Sequence, residues 1–195
     1  MAIIRANNNT LSSVTALPFA TGGLVKLNTT NITSSTALIT FDNTLISDTY
    51  NKYILEYEGL KPVTDNVAIR SRYSTNNGSS FLTGTFNYGY QYTALGSAST
   101  GGSGNTKSDY AVNDYNAGNN ANHQYAGTFH INGMRDSGSY LTIRHEWIQE
   151  NATDNTYVSQ EGWVLEDVSV INFIEWSFAS GNIADGTFSF YGLVK

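Results

Sequence analysis

Apolar and polar positions alternate over several stretches of this chain. From residue 50 to 58, Tyr53, Leu55 and Tyr57 fall on one face and Lys52, Glu56 and Glu58 on the other, with Ile54 the exception on the polar side. From 66 to 75, Val67, Ile69 and Tyr73 oppose Arg70, Arg72 and Ser74. Alternation with one apolar side predicts strands with one wet face. Segments 24–27, 37–41, 80–86, 125–131, 140–149, 157–165, 168–178 and 186–193 predict further strands; in 140–149, Leu141, Ile143 and Trp147 share a face with His145. Asn76-Asn77-Gly78 predicts a hairpin turn, because Asn-Gly accepts the positive φ of a type I′ turn, and Ser180-Gly181-Asn182 joins the last two strands. About nine strands with a turn signal roughly every 10–15 residues predict an all-β fold, an antiparallel β-sandwich of jelly-roll-like form.

Two stretches break the alternation. Residues 1–23 show neither the strand nor the helix period, and such a segment buries little by itself. Its apolar residues Ile3, Ile4, Leu11, Val14, Leu17 and Phe19 mark it as an extended N-terminal arm that docks on a neighbour. The expected division is the arm, 1–23, and a β-sandwich domain, 24–195. Residues 87–123 set Tyr88, Tyr90, Tyr92, Tyr110 and Tyr115 among Gly, Ser and Asn. An irregular loop this long inside a domain is commonly functional, and this composition is that of adaptable recognition loops. The five tyrosines are the candidate contacts for a protein partner or a glycan. Burial at a subunit contact is the competing reading, since tyrosine is enriched at interfaces in general.

Composition narrows the function. Only 13% of the 195 residues are charged, and the polar remainder is mostly Asn, Ser, Thr and Gly, which are poor helix formers. The net charge of −6 and the scattered basic residues leave no surface for displacing phosphate counterions, so nucleic acid is not an expected partner. There is no cysteine, hence no disulfide and no thiolate site. The start, MAIIRANNNT, falls short of a signal-peptide core, and no run approaches the roughly 18 apolar residues of a membrane span. A chain made in a cytoplasm, with no membrane insertion, is the expectation.

No catalytic constellation is assigned. His123, His130 and His145 share no metal-ligand spacing, and His145 and Glu146 fall on opposite faces of one strand. Glycoside hydrolysis needs two carboxylates across one bond. Glu56 and Glu58 read as a solvated face, and Glu161, Glu166 and Asp167 read as lying near strand ends or turns. Asp109, Asn113, Asp114 and Asn116 offer oxygen atoms without the spacing of an EF-hand loop. No cofactor and no metal are expected.

The start MAIIRANNNTLSSVTALP, the block 48–55 (DTYNKYIL), the pieces 62–66 (PVTDN) and 74–80 (STNNGSS), and the ending 178–193 (FASGNIADGTFSFYGL) resemble a group of tailed-phage virion proteins common in phages of aquatic bacteria. The likeness covers both ends and the first third of the sandwich and leaves 87–123 without a match. It implies a virion structural role on a β-sandwich, and carries no catalytic residue with it.

The expectation is a non-enzymatic virion structural protein on the particle surface, of capsid decoration or cement type. Its partners would be copies of itself, as a trimer by analogy with phage appendages, and other virion proteins. The competing reading is a tail fibre or receptor-binding protein that recognises a host surface glycan through the tyrosines. A polysaccharide-degrading enzyme would need an acidic pair such as Glu56 and Glu161.

Overall fold

Along residues 50–62 the burial alternates as the sequence predicts, and this fixes the two faces of the sheet. Tyr53, Leu55 and Tyr57 are buried, while Glu56 and Glu58 are exposed. Gly59, at φ +60°, then sits in a register shift between Tyr57 and Leu60, and the inward parity switches so that Leu60 and Pro62 are buried. A bulge with a left-handed glycine produces this switch.

The computed structural model describes residues 23–84, 86–95, 99–107, 110, 111 and 116–195. Among the described residues twelve strands run in order: β1 (Leu24–Ile32), β2 (Ile39–Phe41), β3 (Tyr50–Pro62), β4 (Ile69–Ser74), β5 (Phe86–Ala94), β6 (Ser99–Lys107), β7 (Tyr110–Ala111), β8 (Tyr125–Asn132), β9 (Leu141–Glu150), β10 (Thr156–Leu165), β11 (Phe173–Phe178) and β12 (Ile183–Val194). No helix long and apolar enough to cross a membrane occurs among the described residues.

The strands form two antiparallel sheets. The larger has eight strands in the order β1-β12-β3-β8-β9-β10-β5-β6, and the smaller has four in the order β2-β11-β4-β7. Pairing is nested: β1 with β12 and β3 with β8 in one sheet, β2 with β11 and β4 with β7 in the other. The hairpins β9–β10 and β5–β6 widen the larger sheet beyond this nest.

Aromatic rings close the space between the sheets. Phe41 stacks on Phe190 at 4.3 Å, Phe129 meets Trp176 at 4.4 Å, and Tyr73 meets Phe86 at 6.0 Å. Burying such rings contributes most of the stabilisation, at about 25 cal/mol per Å² of apolar surface. The antiparallel sandwich expected from the alternation is therefore the fold.

Several expectations are corrected. Segment 87–123 is not one irregular loop: β5, β6 and β7 lie within it. Residues 81–84 form no strand, because the chain there crosses between sheets and lays Phe81 over the Arg72 guanidinium, 4.0 Å from the ring centre. The expected 168–178 strand shortens to Phe173–Phe178. Ser74 is buried rather than on the wet side. Its hydroxyl accepts the Asn76 and Gly78 N–H groups at 3.2 and 3.0 Å, so it serves the turn. That turn has the predicted conformation, with Asn77 at φ +56° and Gly78 at +86°, but it does not lead into a paired hairpin. Residues 1–22, including Ile3, Ile4, Leu11, Val14, Leu17 and Phe19 of the expected arm, lie outside the described residues.

Candidate functional site

Alternation along β5 carries Tyr88, Tyr90 and Tyr92 onto one face of the larger sheet. Opposite them stand Trp163, Glu161 and Ser159 on β10, and Gly104, Gly102 and Thr100 on β6. Tyr88 stacks on Trp163 with centroids 4.7 Å apart and planes 22° from parallel. Tyr88 and Tyr90 follow at 6.3 Å, and Tyr90 and Tyr92 at 6.0 Å, with planes 10° and 19° apart. Tyr157 closes the end of the row edge-on at 5.8 Å. The glycines of β6 are part of this design. A methyl group on Gly104 would stand 2.5 Å from the Tyr88 hydroxyl, and one on Gly102 would stand 2.6 Å from that of Tyr90. The rings lie across the space that β6 leaves empty. All three tyrosines are half-buried, so the row combines apolar ring area with phenol groups and partial exposure.

The structure thus brings three of the five candidate tyrosines together. Tyr110 stands apart on β7 in the smaller sheet, opposite Ser71. Tyr115 lies outside the described residues, as do Asp109, Asn113 and Asp114 of the oxygen cluster. No group of three or more His, Asp or Glu side chains placed to hold a metal occurs among the described residues.

Sequence reasoning missed a buried polar cluster one strand further in. Glu161 lies mid-β10 and faces inward, not near a strand end, and it is only 3% exposed. Its carboxylate accepts the Trp147 indole N–H at 2.8 Å on Oε1 and that of Trp163 at 3.1 Å on Oε2. His145 stands opposite it on β9, with Nδ1 3.8 Å from Oε2. The other imidazole nitrogen, Nε2, is 2.9 Å from the Tyr57 hydroxyl, and the ring lies on Phe129 at 3.7 Å, 3° from parallel. Burial holds the His145 pKa below the ordinary value, against the opposing pull of Glu161. Burial likewise pushes the Tyr57 phenol well up, with Tyr125 and Glu161 adding to the rise. When both groups are neutral, a Tyr57 hydroxyl donating to Nε2 leaves the Nδ1–H turned toward Glu161. The signal was available in the register: alternation through 156–165 puts Ser159 and Glu161 on the face of Trp163 and Leu165.

Hydroxyl, imidazole and carboxylate stand here in the order of a hydrolase triad. The hydroxyl, however, is a phenol that keeps its proton, and Tyr57, His145 and Glu161 are 1%, 0% and 3% exposed. The cluster binds β3, β9 and β10 to one another through polar contacts. Glu56 cannot complete an acidic pair with Glu161, because the two face opposite sides of the sheet.

Comparison with protein-family models, with curated proteins and with solved structures finds no match to this chain.

Proposed function

We propose that this chain is a non-enzymatic structural protein on the surface of a tailed-phage particle, a decoration or cement protein of the capsid. It assembles with copies of itself, a trimer being a simple closed symmetry, and with other virion proteins. It is made in the host cytoplasm and needs no cofactor. The observation that carries this reading is the nested pairing of β1 with β12, β2 with β11, β3 with β8 and β4 with β7, which reads as a jelly roll widened by four strands. Among the described residues β1 is an edge strand of the larger sheet, and its first residues, Leu24 and Val25, are 51% and 39% exposed. An apolar-tipped edge is suited to pairing with a neighbour. The sequence resemblance at both ends of the chain supports the same role. Immunogold labelling of purified particles with antibodies to this chain tests it: gold over the capsid supports the reading, and unlabelled particles overturn it.

The second reading is a tail-fibre or receptor-binding protein that grips a host surface glycan. The half-buried row Tyr88–Tyr90–Tyr92 favours it, because ring area with adjacent phenols suits the mixed apolar and polar surface of a sugar.

A further inference from the structure

At one end of the larger sheet, where β3 begins and β8 turns into β9, the surface opens into a cleft of about 570 Å³. Its walls include Asn51, Asn132, Arg135, Asp136, Tyr140 and Thr142, with Lys195 beside them. The volume lies within the range of small-molecule sites, about 300–1,000 Å³. None of these residues belongs to the tyrosine row or to the buried cluster.

The cleft is preformed. Its far wall, the connection 133–140, is fastened at several points. Arg135 donates from Nε to Asp48 at 2.9 Å and from a terminal nitrogen to the Ile171 carbonyl at 3.3 Å. The Ile171 N–H in turn donates to the Met134 carbonyl at 2.7 Å, and Met134 is buried. Asp136 ties the tip to itself, accepting the Gly138 N–H at 2.9 Å and the Ser139 hydroxyl at 2.6 Å. Gly133, at φ +83°, lets the connection start against the Tyr140 carbonyl, a place where any Cβ would collide. Walls held this way lose little freedom when a ligand binds.

The lining selects the chemistry. The cations Arg135 and Lys195 are equalled in number by the carboxylates Asp48 and Asp136: Arg135 is ion-paired to Asp48, and Lys195 is the smallest of the influences on Asp136. The hydrogen bonds from Ser139 and then Gly138 hold the Asp136 carboxyl below its ordinary pKa, so it stays ionised. An anionic ligand would meet this carboxylate with no net positive charge in the cleft to offset it. The rest of the wall is amide and hydroxyl: Asn51, Asn132 and Thr142, the last two touching at 3.4 Å. These groups donate and accept within a short span, as vicinal hydroxyls require. One large ring is present, Tyr140, and it is 50% exposed. A ligand rich in hydroxyls, without charge and with one apolar C–H face fits this set.

We propose that the cleft is a binding site for a neutral hexopyranose chain, with Tyr140 against one sugar face and Asn51, Asn132 and Asp136 hydrogen-bonded to its hydroxyls. The site stands apart from the structural role proposed above and does not depend on it.

Saturation-transfer NMR on the full chain tests the assignment, with maltotriose, cellotriose, mannotriose and, as the charged counterpart, trigalacturonate as probes. Transfer to at least one of the three neutral sugars is expected, and none to trigalacturonate. Tyr140→Ala and Asn51→Ala should each weaken that binding by about tenfold or more, one such factor being 1.4 kcal/mol. Both residues are exposed, so the variants should keep the wild-type circular dichroism. Tyr90→Ala should bind as the wild type does. Absence of transfer to every neutral sugar, preference for trigalacturonate, or binding that survives Tyr140→Ala would each overturn the proposal.

Discussion

The indole N–H of Trp147 donates to Oε1 of Glu161 at 2.8 Å, with both side chains buried in the sandwich. A carboxylate inside a sheet protein is costly unless its oxygens are occupied. Here two indoles occupy them, and the Ser159 hydroxyl stands 3.5 Å from Oε1. The cluster therefore acts as a polar fastening inside an aromatic core, and its worth lies in the penalty for breaking it.

Replacing Glu161 with Ala strands two buried indole N–H groups and opens a cavity. Leaving a buried donor unmet costs about 1–3 kcal/mol, so a loss of roughly 2–5 kcal/mol is expected from the two donors and the void together. Glu161→Gln keeps one acceptor oxygen and should lose less. Urea unfolding of the two variants gives both values; equal losses would show that the hydrogen bonds do not matter.

The depressed pKa of His145 makes stability depend on pH. The folded state resists the proton that the unfolded chain takes up at its ordinary value of 6.5. This contribution is thus complete above that pH and is lost as the pH falls through and below it. His130, partly buried, adds an effect of the same sign. Asp42, Asp136 and Asp154, whose pKa values are lowered, act only below the ordinary carboxylate value of 3.8. The urea midpoint should therefore drop between pH 7.5 and pH 5. The drop should shrink in His145→Gln, and an unchanged drop would assign the effect elsewhere.

These two expectations rest on residues whose role only the pairing exposes. The strands 50–58, 125–131, 140–149 and 157–165 were legible because each alternates cleanly, and the sandwich followed from their number and spacing. The β5–β6 hairpin was not, because β6 reads Ser-Thr-Gly-Gly-Ser-Gly-Asn-Thr-Lys, a sequence with no strand propensity of its own. It pairs because tyrosines of β5 cover its glycines, a cross-strand fact that one strand's sequence does not hold. Tyr88, Tyr90 and Tyr92 were visible as candidates, but their union in one row needed the register. The cleft at Tyr140 gave no sequence signal, since its residues come from one end each of β3, β8 and β9, from the connection 133–140 and from Lys195.

The tyrosine row separates structure from recognition. Tyr88 stacks on Trp163, so Tyr88→Ala should lower stability by about 1–3 kcal/mol. Gly104→Ala should do similar harm by driving a methyl group into the same ring. The double variant Tyr90→Ala with Tyr92→Ala is milder for folding. If the row grips a host glycan, particles carrying it should assemble normally and fail to adsorb. Normal adsorption would leave the row a purely structural feature.

On the outer side of the smaller sheet, Arg72 covers Glu175, which is 7% exposed, through hydrogen bonds from Nε and a terminal nitrogen to one carboxylate oxygen. The same guanidinium lies over Phe81 and so anchors the crossing segment 75–84. Arg72→Ala removes both contacts and should cost about 1–3 kcal/mol, with Arg72→Lys recovering only part, since an ammonium lacks the planar fork. Thermal unfolding of the pair reads the difference; full recovery by Lys would mean that charge alone matters.

The role as a surface structural protein is tested most directly by the number of copies per purified particle, counted by quantitative mass spectrometry against the major capsid protein. A ratio on the order of one half to one, that of a symmetric oligomer occupying the whole capsid lattice, is the predicted result. A few tens of copies or fewer would contradict the capsid assignment and favour the tail and the tyrosine row. Absence from the particle would contradict the virion role itself.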